Sequence, residues 1–489
     1  MIQNKYLHFL LSIFLFLLAT IYITFIQENY INRDGVGYLM QANLIHLNQS
    51  DLAKTLYPNL GFAQLILSIK NFFGFSYSNA ASLLNVFFLS GSVTFFILIL
   101  NEINQDYRLK VMGIVTIAAS IPIMDNYLAM VIRDHGFWCF SLAGIFALIR
   151  WLKYQRIFWI LMFTLAFTIA SFFRPEASLF IIFSPIMMYW VFFKQTSSRA
   201  NLFFLQYVLI VIVGIAILGI YFYTSVQIEL GRYVDLLQRP IDALCNILKP
   251  LPIDSSHIWL NTLIEDFPQS NKFLLFGNAF LQKWIFNLSI PYFLLLILGF
   301  KYIDKNNPQA LLIKKILTIL ASFSGLIVFM NLLATYVISG RYFVLHFLIL
   351  YIFVSYGLYV LFFDKELSKQ ISRVSIFRKV TIVLLAIMIA NGLFDKTKRS
   401  IEKNTAQWIL SEKLLLSEVY VQDLRVRYYI NQLTVESNEL AEAIENNAYK
   451  YFVLSTKDNL SLMNQNKMRV IMQLPSSINP KLFVYQRND

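Results

Sequence analysis

The sequence predicts an all-α polytopic membrane protein with a small soluble α/β domain at its C-terminal end. The chain has 489 residues, of which 57% are hydrophobic and 14% are charged, and its mean hydropathy is +0.59. The apolar residues come in blocks long enough to cross roughly 30 Å of hydrocarbon. After Phe394 the composition changes to mixed charge with short strand-like segments. We therefore predict a membrane domain over 1–394 and a soluble domain over 395–489.

About eleven transmembrane helices are predicted from the apolar blocks. The first resembles an uncleaved signal anchor, because one lysine precedes its apolar run and no small-residue cleavage site follows. The predicted spans are 7–27, 80–100, 111–124, 136–152, 157–173, 177–193, 202–222, 285–300, 316–338, 343–363 and 379–394.

Basic residues occur in alternate loops, which the positive-inside rule assigns to the cytoplasm together with the N-terminus. They are Arg108, Lys110, Arg150, Lys153, Arg156, Lys194, Arg199, Lys301, Lys305, Lys314, Lys315, Lys365, Lys369, Arg373, Arg378 and Lys379. These loops explain most of the net charge of +13, so no nucleic-acid partner is predicted. The two cysteines offer neither a disulfide framework nor a metal-ligand spacing.

The opposite face receives two long loops, 28–79 and 223–284, and the C-terminal tail. Helical spacing predicts short interfacial helices over 35–47 and 51–73, broken at 57–59, and a further one over 228–248. In the tail we predict helices over 396–411, 424–431 and 436–447. Strands are predicted over 418–421, 451–455, 468–474 and 482–486.

Charged side chains cluster at the outer ends of the predicted spans, and these are the candidate site residues. They are Asp34 with Arg33; Arg133, Asp134 and His135; Arg174 and Glu176 around Pro175; and Arg341 with Tyr342. A carboxylate accepts a proton from an attacking hydroxyl, whereas a guanidinium offers forked donors to a phosphate. Together these groups would suit transfer from a phosphate leaving group.

Each candidate also has a structural interpretation. Asp34 precedes a helical pattern and is a good N-cap residue. Arg133 and Asp134 form a possible juxtamembrane ion pair, and His135 suits an interfacial position.

The later candidates have structural interpretations too. Pro175 and Glu176 fit the first turn of a helix, where a carboxylate is favourable. Arg341 suits a tight loop anchored by lipid phosphate.

No metal or cofactor is predicted. The sequence has no HExxH motif, and its 5 histidines are scattered. Asp34 and Asp134 together are conceivable ligands for a divalent cation, since carboxylates suit hard metal ions, but nothing in the sequence requires one.

The layout of residues 1–395 resembles the GT-C superfamily of integral-membrane glycosyltransferases. The nearest resemblance is to bacterial relatives of dolichyl-phosphate-mannose protein mannosyltransferases and of the lipid A aminoarabinose transferase. Asp34 and Tyr38 match the family's Asp and Tyr after the first span, and Asp134 matches a later acid. The family's Arg-Pro-Glu segment matches 174–176, and its Arg-Tyr before a late span matches 341–342.

This chain departs from the family pattern at two places. Many relatives have an acid directly after the first Asp, where this chain has Gly35. A His-Pro-Pro segment is replaced here by 57–59, Tyr-Pro-Asn. The first departure weakens a two-acid site, and the second weakens assignment to a subfamily.

The resemblance implies an inverting glycosyltransferase of the bacterial inner membrane that moves a sugar from a polyprenyl-phosphate donor to a lipid A, glycan or protein acceptor on the periplasmic face. By this resemblance Asp34 is the general base, Asp134 orients acceptor or base, and Arg341 and Arg174 bind the donor phosphate. Arg33, Tyr38, Arg133, His135, Glu176 and Tyr342 support them.

Two other functions stay open. A flippase or exporter of lipid-linked sugars should show charges near the bilayer midplane and internal repeats, neither of which is clear in the sequence. An O-antigen polymerase or ligase would centre on a large late loop, whereas the most suggestive acid here lies in the first loop.

Overall fold

The structure, a computed structural model, is mainly helical, with a small mixed sheet near the C-terminus. It describes residues 31–128, 130–192, 272–303, 308–336, 339–364, 374–394, 401–430, 449–455, 468–474 and 482–487, with scattered positions in 13–21, 205–216 and 238–246. The predicted spans 7–27 and 202–222 and the helix 436–447 lie wholly or largely outside the described residues.

Two compact units divide the chain. The first comprises 1–21, 84–128 and 133–393, and the second comprises 22–83, 129–132 and 394–489. The second unit thus combines the first long loop with the C-terminal tail. The proposed division at 394/395 stays a prediction.

The first long loop forms three helices of the second unit. They are α1 (Arg33–His46), α2 (Ser50–Leu56) and α3 (Gly61–Phe73). The break between α2 and α3 falls at the predicted 57–59 segment, because proline interrupts helical hydrogen bonding there. The side chain of Gln41 donates to the backbone carbonyls of Ala53 and Tyr57, at 3.1 and 2.6 Å, and so holds α2 and the break against α1.

The first unit is built from apolar helices, the earliest of which begins within the second unit. They are α4 (Tyr77–Ile103), α5 (Tyr107–Ala118), α6 (Asp134–Tyr154), α7 (Ile157–Phe173), α8 (Ala177–Phe192), α9 (Lys272–Leu288), α10 (Ile290–Tyr302), α11 (Pro308–Thr335), α12 (Gly340–Phe363) and α13 (Val374–Phe394). A π-helix at Ile121–Tyr127 follows α5. Helix α12 is buried along almost its whole length and is the central helix of the core.

The prediction of eleven spans is wrong for the described part of the chain. Four helices there are long and apolar enough to cross a membrane, namely α4, α6, α11 and α12, and a bent pair of helices would make five. These findings support a multi-pass helical membrane protein.

Four of the predicted spans are interrupted or short for identifiable reasons. Span 111–124 breaks at Ser120, whose hydroxyl accepts from the Ile123 N–H ahead of the π-helix. Spans 157–173 and 177–193 form helices of 17 and 16 residues separated at Arg174. Span 285–300 bends by 87° between α9 and α10, where Ser289 takes a left-handed φ of 65°. Pro291 follows, and its missing N–H prevents a continuous helix.

The tail folds as predicted into a small α/β structure. Helix α14 covers Ile401–Ser411 and α15 covers Leu424–Tyr429, while β1 (Val419–Val421), β2 (Tyr451–Ser455), β3 (Met468–Leu474) and β4 (Leu482–Arg487) form one sheet. The strand order is β1-β2-β4-β3, with β1 parallel to β2 and the other pairs antiparallel. Helix α15 packs against α1, so the tail and the first loop share contacts within the second unit.

Candidate functional site

A buried ion pair lies at the centre of the candidate site in the first unit. Asp134 is the first residue of α6, and Arg174 is the C-cap residue that follows α7. Arg174 Nε and Asp134 Oδ1 are 2.7 Å apart, and the two side chains are only 8% and 3% exposed. Neither atom has the alignment of a hydrogen bond. An unpaired charge in these buried surroundings would be strongly destabilising.

The turn after Arg174 brings a second acid into the site. Glu176 Oε1 accepts from Arg239 Nη1 at 2.9 Å, and the same nitrogen donates to Asn331 Oδ1 at 2.8 Å. Asn331 belongs to α11, so these bonds connect the turn, α11 and the segment around Arg239. We call Asp134, Arg174, Glu176 and Arg239 the charged cluster.

The charge state of Glu176 follows from this arrangement. Burial raises the pKa of its carboxyl, but Arg174 and Arg239 lower that pKa more strongly, to about 2. Glu176 is therefore ionised near neutral pH. Because its carboxyl holds no proton near neutral pH, Glu176 is excluded as a general acid.

Tyr342 and Arg341 border the charged cluster at the start of α12. The Arg174 guanidinium lies over the Tyr342 ring at 4.4 Å, and the Arg341 guanidinium carbon is 5.5 Å from the same ring. Arg341 is partly exposed, and it is close enough to Arg174 for their charges to repel. The structure thus brings together five of the predicted residues: Asp134, Arg174, Glu176, Arg341 and Tyr342.

The cavity beside the charged cluster is small. It is lined by residues that include Arg174, Glu176, Asn331, Tyr342 and His346, and its volume is about 30 Å³. That is room for roughly two water molecules. A sugar ring does not fit without movement of the surrounding side chains.

His135 is fully buried within the protein. Its Nδ1 lies 3.0 Å from Asn85 Oδ1, and its Nε2 lies 3.0 Å from the Tyr127 carbonyl oxygen. A neutral imidazole donates from one nitrogen only. If Nε2 donates to the Tyr127 carbonyl, the Asn85 amide must turn its NH₂ group towards Nδ1. Either way, His135 connects α4, α6 and the π-helix.

Arg133 occupies the N-cap position of α6 and is half-buried. The ion-pair partner of Asp134 in the described part of the chain is Arg174, so the alternative of a local Arg133–Asp134 pair is wrong.

Asp34, Arg33 and Tyr38 belong to the second unit. Arg33 is exposed, and Asp34 is half-buried in the first turn of α1. The Tyr57 hydroxyl donates to Asp34 Oδ1 at 3.3 Å, and the Tyr57 ring stacks on Tyr38 with centroids 4.8 Å apart.

The alternative of Asp34 as an N-cap is wrong, because Asn32 occupies that position. The Asn32 side chain makes no capping bond. It instead donates to the Val131 carbonyl at 3.2 Å and accepts from the Val131 N–H at 2.8 Å. These bonds fix the start of α1 to the 130–132 segment of the same unit.

The sequence did not identify Arg239, Asn331 and His346 as site residues. His346 accepts at Nε2 from the Trp284 indole at 2.8 Å, and its Nδ1 lies 2.9 Å from the Ala321 carbonyl. Asn331 and His346 carried a usable signal, since polar side chains within apolar spans are rare and often functional.

Among the residues that the structure describes, no three His, Cys, Asp or Glu side chains are grouped as a metal site would require. No protein-family model matches the chain, and no curated protein sequence matches it.

Proposed function

We propose that this protein is an inverting glycosyltransferase of a bacterial plasma membrane that uses a polyprenyl-phosphate-linked sugar. The observation that carries the proposal is the meeting of Asp134, Arg174, Glu176 and Arg341 around Tyr342, although they come from three separate parts of the sequence. Acids and guanidinium groups at such a site match the two demands of the reaction, which are acceptor orientation and phosphate binding. The layout resemblance to GT-C enzymes points the same way.

The proposed reaction is a single displacement. The acceptor hydroxyl oxygen attacks the anomeric carbon while the bond from that carbon to the phosphate oxygen breaks, so the configuration inverts. The hydroxyl proton passes to Asp34, and polyprenyl phosphate leaves. Preorganised cationic donors at the developing phosphate charge lower the barrier by several kcal/mol.

Arg341 is the primary phosphate ligand in this proposal, because it is the partly exposed guanidinium beside the charged cluster. Arg174 contributes through the nitrogens that do not face Asp134, since a guanidinium carries five N–H donors. Asp134 fixes Arg174 and orients the acceptor.

Asp34 is the proposed general base. It is a half-buried carboxylate that already accepts a hydrogen bond from a phenol. Glu176 is a poorer base, since its depressed pKa weakens its affinity for a proton. Tyr38 and Tyr57 position Asp34, and no metal takes part in this mechanism.

The test is a transfer assay with purified protein, a labelled sugar on polyprenyl phosphate, and a panel of lipid A, glycan and protein acceptors. We expect Asp34→Asn to reduce turnover by about 10²-fold or more, because general-base catalysis contributes that much. Thermal stability should change little, since Asn can still accept from Tyr57. Arg341→Ala should weaken donor binding and slow transfer in the same assay.

Asp51→Asn is the matched control. Asp51 lies in the same loop, and its side chain is 99% exposed, so its neutralisation should leave transfer unchanged. Near-normal turnover of Asp34→Asn would remove the base assignment. Absence of transfer by the wild-type protein, together with movement of the intact lipid-linked sugar across vesicles, would replace the proposal with a flippase.

A further inference from the structure

A long apolar groove lies in the first unit and shares His346 with the lining of the small cavity of the charged cluster. It has a volume of about 910 Å³ and runs between α9, α10, α11 and α12. Its floor is recessed, because Ala321 and His346 are only 5% and 7% exposed. Its size falls within the range of roughly 300–1,000 Å³ typical of ligand sites.

The groove follows one stripe of α11 from Lys314 to Phe329. At 1.5 Å of rise per residue this stripe is about 22 Å long, comparable to an extended fatty acyl chain. Thr318, Ser322 and Leu326 recur along the stripe at helical spacing. The groove is therefore an elongated channel along the helix axis.

The charges on the groove are asymmetric. Lys301 and Lys314 line it at one end, where α10 ends and α11 begins. Lys314 Nζ lies over the Phe300 ring at 4.3 Å, which orients the ammonium at the mouth of an otherwise apolar channel. Both lysines belong to a loop that the positive-inside pattern predicts to be cytoplasmic.

We propose that this groove is a binding site for an anionic phospholipid. An acyl chain occupies the channel beside Ala321 and Leu326, and the headgroup phosphate binds Lys301 and Lys314. Basic pockets between membrane helices on the cytoplasmic side bind anionic headgroups in this way. The site is separate from the proposed glycosyl transfer and does not depend on it.

The experiment measures lipid binding to the purified full-length protein by native mass spectrometry, with phosphatidylglycerol and phosphatidylcholine of identical acyl chains. We expect the wild-type protein to prefer phosphatidylglycerol. Lys301→Ala combined with Lys314→Ala should weaken phosphatidylglycerol binding about 30-fold, because each lysine near an anionic headgroup contributes a factor of roughly five. Phosphatidylcholine binding should change little.

The chain offers a matched control. Lys315→Ala combined with Lys379→Ala also removes two positive charges, and both of these lysines are exposed and outside the groove. That variant should bind both lipids as the wild-type protein does. Ser322→Trp tests the channel itself. Ser322 is exposed within the groove, so the larger side chain should weaken the binding of both lipids without disturbing the core.

Three results would overturn the proposal. They are equal binding of the two lipids by the wild-type protein, equal loss in the two double variants, and displacement of phosphatidylglycerol by undecaprenyl phosphate at equal concentration. The last result would make the groove a site for the prenyl chain.

Discussion

The Asp134–Arg174 pair is the most heavily buried opposite-charge contact in the candidate site. Removing two charged groups from water costs several kcal/mol for each ion, and their attraction offsets that cost only while both are present. Arg174 Nε and Asp134 Oδ1 are 2.7 Å apart and the side chains are 8% and 3% exposed, so this is a buried ion pair. The partners belong to the start of α6 and the end of α7, so the pair also fixes how these helices meet.

Replacing one member of the pair should therefore destabilise the protein more than replacing both members. We expect Arg174→Met to destabilise the protein by about 3–5 kcal/mol, because it leaves the Asp134 carboxylate buried without its partner. Asp134→Leu combined with Arg174→Met should recover most of that loss. Thermal unfolding in detergent measures both variants, and a single variant as stable as the wild type would contradict the buried pair.

At the scale of elements, the crossing of α10 and α12 brings two helix backbones into direct contact. A Cβ on Gly299 would overlap the Phe353 carbonyl oxygen, and a Cβ on Gly357 would overlap the Leu295 carbonyl oxygen. Small residues allow membrane helices to pack backbone against backbone. Since α12 is the central helix, this crossing positions α10 and one wall of the apolar groove.

Gly357→Ala should therefore lower stability by about 1–3 kcal/mol, as overpacking does, because a helix backbone must move to admit the methyl group. Gly277→Ala on α9 is the matched control, since nothing lies within 4 Å of its added Cβ. The control should be neutral or slightly stabilising, given the higher helix propensity of alanine. Equal midpoints of thermal unfolding for the two variants would show that α10 and α12 are not in backbone contact.

At the scale of the whole molecule, the first long loop and the C-terminal tail fold as one compact unit, although more than 300 residues of sequence separate them. Helix α15 of the tail packs against α1, the helix that carries Asp34. The tail has its own apolar core, which includes Val426 and Val453. The tail therefore provides a folded surface against which α1 of the first loop packs.

Truncation of the chain after residue 394 should expose the first loop. We expect trypsin to cleave several-fold faster after Lys54 and Lys70, because α1 loses the partner that stabilises its packing. Mass spectrometry of the fragments measures both rates. Cleavage after Lys315, in the first unit, is the internal reference and should not change. Unchanged cleavage after Lys54 would indicate that the loop folds without the tail.

The sequence by itself determined the elements whose signals are local. Apolar runs predicted the helices that contain 80–100, 136–152 and 343–363, and short strand-like segments predicted the strands at 451–455 and 482–486. It also selected Arg174, Glu176 and Arg341, because charges beside apolar runs stand out. It overcounted the spans, since hydropathy does not register a left-handed residue such as Ser289 or a cap such as Ser120.

Only the tertiary structure decided which charges are partners. Asp134 has Arg133 beside it in sequence, yet it pairs with Arg174, and Glu176 pairs with Arg239. Partner choice depends on how helices pack, and no local pattern encodes the distance between residues on different helices. The same reason explains why the apolar groove and its two lysines were visible only after α10, α11 and α12 had been brought together.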